Sequence, residues 1–225
     1  MVTSDEAGVP ERQLTARGRA TRERIVAAAA ELMAERGVAS TTTQDVQKAA
    51  GGISPSQIYH YFSDKKSLVQ AVIAYQAEAV LSFQTPLLSK LDSMEALEAW
   101  RDAIVDLQRE RACVGGCPIG SLVGELADRD PLARAQIASS LARWEKAISD
   151  GIRAMQDRGD LDKRADPDHL ALATLTALQG GLLMTQARRD TTALEAVLNV
   201  VIERIRCYAT AWPPNPAETL RSDRY

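Results

Sequence analysis

Cysteine, histidine and aromatic residues are scarce in this chain of 225 residues. The three cysteines, Cys113, Cys117 and Cys207, lack the even number and spacing of a disulfide framework, which predicts a reduced, cytoplasmic protein. The two histidines do not cluster with the cysteines, so no metal site is predicted. The GxSxG and HExxH motifs are missing, and residues 115–120 have P-loop glycine spacing without the lysine that should follow. We therefore expect no enzyme, no catalytic residue and no cofactor.

Long apolar runs are missing as well. Residues 1–13 contain acidic side chains and no apolar core, which argues against a secretory signal. The most apolar stretch, residues 170–184, is interrupted by Thr174, Thr176 and Gln179 and is short for a membrane span. We expect a soluble protein of the cytoplasm without a membrane partner.

Strand-like alternation of polar and apolar residues is also missing, and apolar residues recur instead with the period of an α-helix. The sequence therefore predicts an all-α fold. The predicted helices are residues 19–36, 42–50, 55–61, 64–85, 94–112, 118–126, 131–158, 167–188 and 192–211.

Four regions are expected along the chain. They are a disordered arm (1–17), a three-helix domain (18–64), a larger helical domain (65–213) and a tail (214–225). Residues 17–66 contain eight Lys or Arg against five Asp or Glu, although the whole chain has a net charge of -3. This distribution favours a basic DNA-reading domain on an acidic body.

Residues 41–66 contain two short helices joined by a glycine turn. Thr41 or Thr42 can cap the first helix, with a glutamine or aspartate three residues later completing a capping box. Ser54 can cap the second helix, with Pro55 at its first position, where a missing N–H costs nothing. Two helices joined in this way outline a helix-turn-helix, which lays its second helix in the major groove of DNA.

Residues 21–73 contain three motifs, TRERIVAAAAELMAERG, TTTQDVQKAAG and SQIYHYFSDKKSLVQAVI, and together they resemble the TetR family of transcriptional regulators. The chain differs by a doubled glycine, Gly51-Gly52, where most relatives have one. Further on, GCPIGSL and ALQGGLLM look like segments of the branch that includes multidrug- and electrophile-responsive repressors. The resemblance implies a homodimer that binds a palindromic, double-stranded DNA operator and a small-molecule effector. It makes residues 18–64 a helix-turn-helix DNA-binding domain and residues 65–213 a helical ligand-binding and dimerisation domain.

Polar residues at the helix starts and along the short helix are the predicted DNA contacts. They are Thr42, Thr43, Ser54, Ser56, Gln57, Tyr59, His60 and Lys65. Gln57 can offer a donor and an acceptor to adenine, and Lys65 with nearby backbone N–H groups can meet a phosphate. His60 is either a base contact or a solvated histidine, and the threonines are either simple caps or caps that also bind phosphate. Tyr61 and Phe62 are expected in the core.

Residues from the later helices are the predicted effector contacts. They are Trp100, Ile104, Leu107, Cys117, Ser121, Leu122, Trp144, Ile148, Leu175, Gln179 and Met184. For each of them, ordinary core is the favoured interpretation over contact with a ligand. As pocket residues they indicate a lipophilic effector with one polar group that meets Gln179 or Ser121.

Cys117 precedes Pro118 and therefore takes the cap position of a helix, where the dipole favours a thiolate. Cys113 lies four residues earlier, across a glycine pair. An oxidant- or electrophile-sensing repressor is one interpretation, and small buried residues chosen for packing are the other.

The last two predicted helices pair small residues with branched ones. The small residues are Ala173, Ala177, Gly180 and Gly181, and the branched ones are Leu194, Val197, Leu198, Val201 and Ile205. These faces suit either a four-helix dimer interface or burial within one chain. We expect a repressor released from its operator by an effector, with activation and a purely protein-binding helical adaptor as alternatives.

Overall fold

The computed structural model describes residues 14–210. That part of the chain forms nine α-helices and no strand, which confirms the all-α class. The helices are α1 (Ala16–Arg36), α2 (Thr43–Ala49), α3 (Pro55–Tyr61), α4 (Lys65–Leu88), α5 (Met94–Glu110), α6 (Pro118–Leu126), α7 (Pro131–Asp157), α8 (Pro167–Arg188) and α9 (Thr192–Arg206). The predicted tail and residues 1–13 of the predicted arm lie outside the described residues.

Helices α2, α3 and α6 begin at their predicted caps. Thr42 caps α2 and forms a capping box with Asp45, and Ser54 caps α3 and forms one with Gln57. The sulfur of Cys117 caps α6 by accepting the Gly120 N–H at 3.4 Å. Local chemistry alone therefore fixes where these three helices begin.

Three helix ends differ from the prediction. Thr15 caps α1, which begins at Ala16 rather than near residue 19. Helix α4 continues through Pro86 to Leu88, beyond its predicted end at residue 85. The last helix, α9, ends at Arg206 rather than 211. Beyond it the backbone turns toward the α7–α8 connection, where the Tyr208 carbonyl accepts the Asp162 N–H at 2.8 Å.

The chain forms two compact units, and the described part of the first comprises residues 14–83 and 115–142. It holds α1 to α3, most of α4, all of α6 and the first part of α7. Its largest fully buried side chains are Ile25, Ile58, Leu68, Ile73 and Ile119. The predicted boundary at residues 64 and 65 falls at the start of α4, which belongs mostly to this unit.

The described part of the second unit comprises residues 84–114 and 143–210. Trp100 and Trp144 are fully buried, and the Trp100 indole N–H donates to the Gln84 amide oxygen at 2.9 Å. Helices α8 and α9 pack closely, since a Cβ on Gly181 would lie 2.8 Å from the Leu194 Cδ1. The absence of a side chain at Gly181 thus permits this helix crossing.

Among the described residues, α8 has the length and apolar character that a membrane span requires. Its 22 residues correct the expectation that this stretch is too short for a span. Core helices also have this length and composition, and α8 packs closely on α9.

Candidate nucleic-acid interface

The doubled glycine forms the turn between α2 and α3. Gly51 and Gly52 have φ values of +91° and +72°, a left-handed conformation that side chains disfavour. The Gly52 N–H donates to the Gln47 carbonyl at 3.0 Å and the Gly51 N–H to the Lys48 carbonyl at 3.2 Å. This pattern is a Schellman motif, which ends α2 and redirects the chain into α3. Both glycines are therefore turn residues.

Helix α3 is held from one side only. Ile58 and Phe62 are buried, at 1% and 2% exposure, and the Arg22 guanidinium lies over the Phe62 ring at 5.2 Å. Tyr61 is half-buried, with its ring edge against His60. The exposed residues are Ser54, Ser56, Gln57, Tyr59 and His60. The five predicted DNA contacts at and within α3 thus share the solvent-facing side of a firmly packed helix.

The side chain of Gln57 already has a role inside α3. Its amide oxygen accepts the Ser54 backbone N–H at 2.9 Å, and the Ser54 hydroxyl accepts the Gln57 N–H at 3.3 Å. The hydroxyls of Ser54 and Ser56 lie 2.9 Å apart. A two-bond contact with adenine would take the amide oxygen out of this network, whereas a contact through the amide N–H groups would not.

Lys65 lies in a different environment from the one predicted. Its ammonium donates to the Val38 carbonyl at 2.7 Å and to the Ala39 carbonyl at 3.5 Å, so the half-buried side chain ties the first turn of α4 to the α1–α2 turn. The next residue, Lys66, is exposed. The sequence near Lys65 did not predict this contact, because the carbonyls that it binds belong to residues 26 and 27 positions earlier.

The two predicted threonine contacts lie at the start of α2. The Thr42 hydroxyl donates to the Asp45 carboxylate at 2.6 Å and Thr43 is half-buried. The Thr42 hydroxyl, followed by its backbone N–H, stabilises the charged carboxylate and lowers the pKa of Asp45. The preceding Thr41 is buried and donates to the Gly37 carbonyl at 2.8 Å. Thr41 is therefore part of the α1–α2 turn.

Glu125 is a residue that the sequence analysis missed. From α6, its carboxylate accepts the Val38 backbone N–H at 2.6 Å. The two residues are 87 positions apart, and no motif or spacing in the sequence connects them.

The predicted effector contacts are distributed over both units. Cys117, Ser121 and Leu122 belong to the first unit, and the other eight to the second. Seven are buried: Trp100, Ile104, Cys117, Leu122, Trp144, Ile148 and Leu175. Leu107 and Gln179 are half-buried, Ser121 is exposed and Met184 is 45% exposed on α8. Cys113 is buried like Cys117, whereas Cys207 is exposed.

Several buried polar atoms of the second unit have no hydrogen-bond partner within the described residues. They are Gln108 Oε1, Trp144 Nε1, Gln179 Nε2, Thr185 Oγ1 and Arg206 Nε, the last of which lies 3.6 Å from the Glu203 carboxylate. An unpaired buried polar atom is costly and calls for a partner from elsewhere. Trp144 and Gln179 were predicted effector contacts; Gln108 and Thr185 were not. In the described residues no three metal-ligating side chains come together.

Helices α8 and α9 bury part of the predicted dimer face within the chain. Gly181 and Leu194 meet, and Leu198 and Ile205 are buried as well. The exposed apolar side chains of the pair are Leu172, Leu183, Met184 and Val200.

A capped helix, a Schellman turn and a second capped helix with a polar outer face define a helix-turn-helix DNA-binding protein. Two family models match the chain: "Bacterial regulatory proteins, tetR family" over residues 25–72, and "Tetracyclin repressor-like, C-terminal domain" over residues 93–201. The chain belongs to the TetR family of DNA-binding transcriptional regulators. The members of this family are regulators rather than enzymes.

Relatives and solved structures agree with this membership. An uncharacterised HTH-type transcriptional regulator of Mycobacterium tuberculosis strain H37Rv is 30% identical over 188 residues, which cover 78% of this chain and 89% of that protein. The HTH-type transcriptional repressor DhaR of Mycobacterium sp. strain GP1 is 24% identical over 82% of this chain and 91% of its own. A crystal structure of a TetR transcriptional regulator from Chloroflexus aurantiacus superposes with a TM-score of 0.71 at 27% identity, covering 87% of this chain and 98% of that one.

Proposed function

We propose that the protein is a cytoplasmic, homodimeric repressor that leaves a palindromic DNA operator when a lipophilic small molecule binds its second unit. The observation that carries this proposal is the exposed polar face of α3, anchored from beneath by Ile58 and Phe62. A relative that matches most of the chain is named as a repressor, which supports repression as the outcome.

In this proposal α3 enters the major groove. Ser56, Gln57 and His60 face the bases, and Tyr59 reaches a phosphate with its exposed hydroxyl end. Thr42 and Ser54 cap helices whose N-terminal N–H groups favour phosphate. Lys65 contributes to phosphate binding when it leaves the Val38 carbonyl, and otherwise supports the fold. Thr43 lies beside the Thr42 cap, in the first turn of α2.

The apolar side chains exposed on α8 and α9 supply the dimer interface. Leu172, Leu183 and Val200 are at least half exposed in one chain, which is costly for a large apolar surface in water. A second copy that packs the same two helices against them would form a four-helix interface with twofold symmetry.

The unpaired polar atoms in the second unit support an effector site there. Trp144 Nε1 and Gln179 Nε2 are donors, and Gln108 Oε1 is an acceptor. An apolar effector that carries both an acceptor and a donor would satisfy these atoms while burying its remaining surface. An effector that prefers a conformation with another spacing of the two α3 helices weakens operator binding by its differential affinity for that conformation.

Selection from a random pool of duplexes tests the DNA-binding part of the proposal. Wild-type protein should enrich a palindrome whose half-sites lie about one helical turn apart, ~34–36 Å, or somewhat further. The affinity for that duplex should fall steeply with salt, because several phosphates are neutralised. No enrichment, with a salt-independent affinity, would contradict the proposal and favour a protein-binding adaptor.

A further inference from the structure

Three side chains form hydrogen bonds with backbone groups of the α1–α2 turn, residues 37–41. They come from the turn itself, from α4 and from α6. The Gly37 carbonyl accepts the Thr41 hydroxyl at 2.8 Å. The Val38 N–H donates to Glu125 of α6 at 2.6 Å, and the Val38 carbonyl accepts the Lys65 ammonium of α4 at 2.7 Å. Two oppositely charged side chains thus hold the peptide groups on both sides of Val38.

The turn is shaped to receive the Glu125 carboxylate. Gly37 has a φ of +84°, which disfavours any residue with a side chain. A Cβ on Gly37 would lie 3.0 Å from Glu125 Oε2, tighter than ordinary packing. The turn therefore ends α1 and also leaves room for a charged acceptor from another helix.

The position of this turn makes the contact relevant to DNA reading. It leads directly into the Thr42 capping box and α2, which the Schellman motif joins to α3. Val38 itself is buried, so a shift of the turn must displace packed atoms. The chain passes from the second unit to the first between residues 114 and 115, shortly before α6 begins. The two residues just before this boundary, Ala112 and Cys113, have left-handed φ values of 51° and 57°.

We propose that Glu125 is a positioning residue for DNA reading, which sets the pose of α2 and α3 by holding the Val38 N–H from α6. A charge-assisted hydrogen bond to a backbone N–H is stronger than a neutral one, and it fixes a geometry as well as adding stability. The inference rests on the proposed reading of bases by α3. It adds a contact through which a movement of α6 would change the position of α3.

The test compares Glu125→Ala and Glu125→Gln with wild-type protein. Affinities are measured at one salt concentration for the duplex that wild-type protein selects and for a scrambled duplex of equal length. Asp128→Ala is the matched control, because it also removes one carboxylate and lies exposed three residues further on. The melting temperature and the exchange rate of the Val38 amide proton are measured on the same samples.

Glu125→Ala should lower the ratio of selected to scrambled affinity about tenfold, within the range of couplings between sites, and should speed Val38 exchange. Glu125→Gln should fall between the alanine variant and wild type, because its amide oxygen still accepts the N–H without the charge. Asp128→Ala should keep the wild-type ratio.

A lower melting temperature with an unchanged affinity ratio for folded protein would assign Glu125 to stability alone and overturn the inference. An equal loss for Asp128→Ala would also overturn it, since net charge would then explain the effect. If wild-type protein selects no DNA sequence, the proposed base reading by α3 is rejected. That outcome is seen in the wild-type selection itself, so it is distinguishable from a failure of the inference on Glu125, which is seen only in the variants.

Discussion

The side-chain amide of Gln57 belongs to the capping box of α3, and in the proposed complex it also contacts a DNA base. In the free protein its oxygen completes the capping box with Ser54, and this hydrogen bond favours the side-chain conformation that the box requires. Such preorganisation reduces the conformational entropy that a side chain loses when it binds. The box therefore orients the amide N–H groups for an acceptor on a base edge, without itself being the reading contact.

Substitution of Gln57 by alanine and by glutamate should separate these two uses. Gln57→Ala removes both and should lower the free energy of unfolding by up to about 1 kcal/mol. Gln57→Glu keeps the capping-box acceptor but removes the amide donor, so the melting temperature should stay near that of wild type. Both variants should lose base preference at one position by about tenfold or more.

Affinities for duplexes that vary one base pair at a time, together with chemical denaturation, measure the two effects of the Gln57 substitutions. An unchanged base preference in both variants would show that Gln57 does not read the operator.

Lys65 should act on stability as well as on DNA binding. Lys65→Ala removes the ammonium that holds the Val38 and Ala39 carbonyls, which should lower the free energy of unfolding by about 1 kcal/mol. Lys66→Ala, its exposed neighbour, should change this free energy by less than about 0.5 kcal/mol. Denaturant titration of both variants decides, and an unchanged midpoint for Lys65→Ala would return Lys65 to the role of a phosphate contact alone.

At the scale of whole elements, the starts of α2, α3 and α6 were predictable because their caps are local. Thr42, Ser54 and Cys117 each sit within three residues of the N–H groups they accept. The end of α9 was not predictable in this way, because the chain leaves the helix to meet the Asp162 N–H, far back in the sequence.

The exposed face of α3 followed from its sequence, since Ile58 and Phe62 mark the buried side. The environments of Lys65 and Glu125 did not, because each depends on a turn that is 27 or 87 residues away. The same holds for Gly181, which was predicted for the dimer interface. Its position in the sequence of α8 shows which face it lies on, but not whether α9 or a second copy of the chain covers that face.

The crossing of α8 and α9 should be sensitive to a single methyl group. Gly181→Ala would place a Cβ 2.8 Å from Leu194 Cδ1 and 3.0 Å from its Cα, so one helix must move. We expect a loss of roughly 1–3 kcal/mol in the free energy of unfolding. Gly124→Ala is the control, because its Cβ would meet no atom within 4 Å and alanine favours the helix by up to about 1 kcal/mol. Equal midpoints in urea would refute the close crossing.

The contact between α7 and α8 in which Ser149 and Arg153 donate to the Asp168 carboxylate should weaken in acid. The Ser149 hydroxyl and then the Arg153 guanidinium stabilise the Asp168 carboxylate and hold its pKa below the ordinary value of 3.8. Because the pKa is lower in the folded state than in the unfolded state, this contribution is complete above pH 3.8 and is lost as the pH falls through the folded pKa.

Asp168→Asn should therefore be less stable than wild type at pH 5–7, and the difference should shrink below the unfolded-state pKa of about 4. Urea denaturation of both proteins across this range measures the effect. Asp157→Asn, which changes an exposed carboxylate at the end of α7, is the control. A difference between Asp168→Asn and wild type that stays constant down to pH 3 would contradict this contact.

At the scale of the whole molecule, the proposed function requires two copies of α3 held at a fixed spacing in a dimer. One chain exposes Leu172, Leu183 and Val200 on adjacent helices, while its reading residues lie in the other unit. Binding of one half-site makes binding of the second intramolecular, so dimer formation can raise affinity by about 10²–10⁴ without a new base contact.

Leu183→Glu should separate the dimer, because it places a charge at a position that is 66% exposed in one chain and apolar in the proposed interface. Sedimentation should then give the chain mass of 24.4 kDa rather than twice that mass. Operator affinity should fall at least about 100-fold, while the affinity of each half-site alone should remain. Leu132→Glu, equally exposed at 68% but at the start of α7, should leave both mass and affinity unchanged. A Leu183→Glu protein that remains a dimer, or a Leu132→Glu protein that dissociates, would move the interface away from α8 and α9.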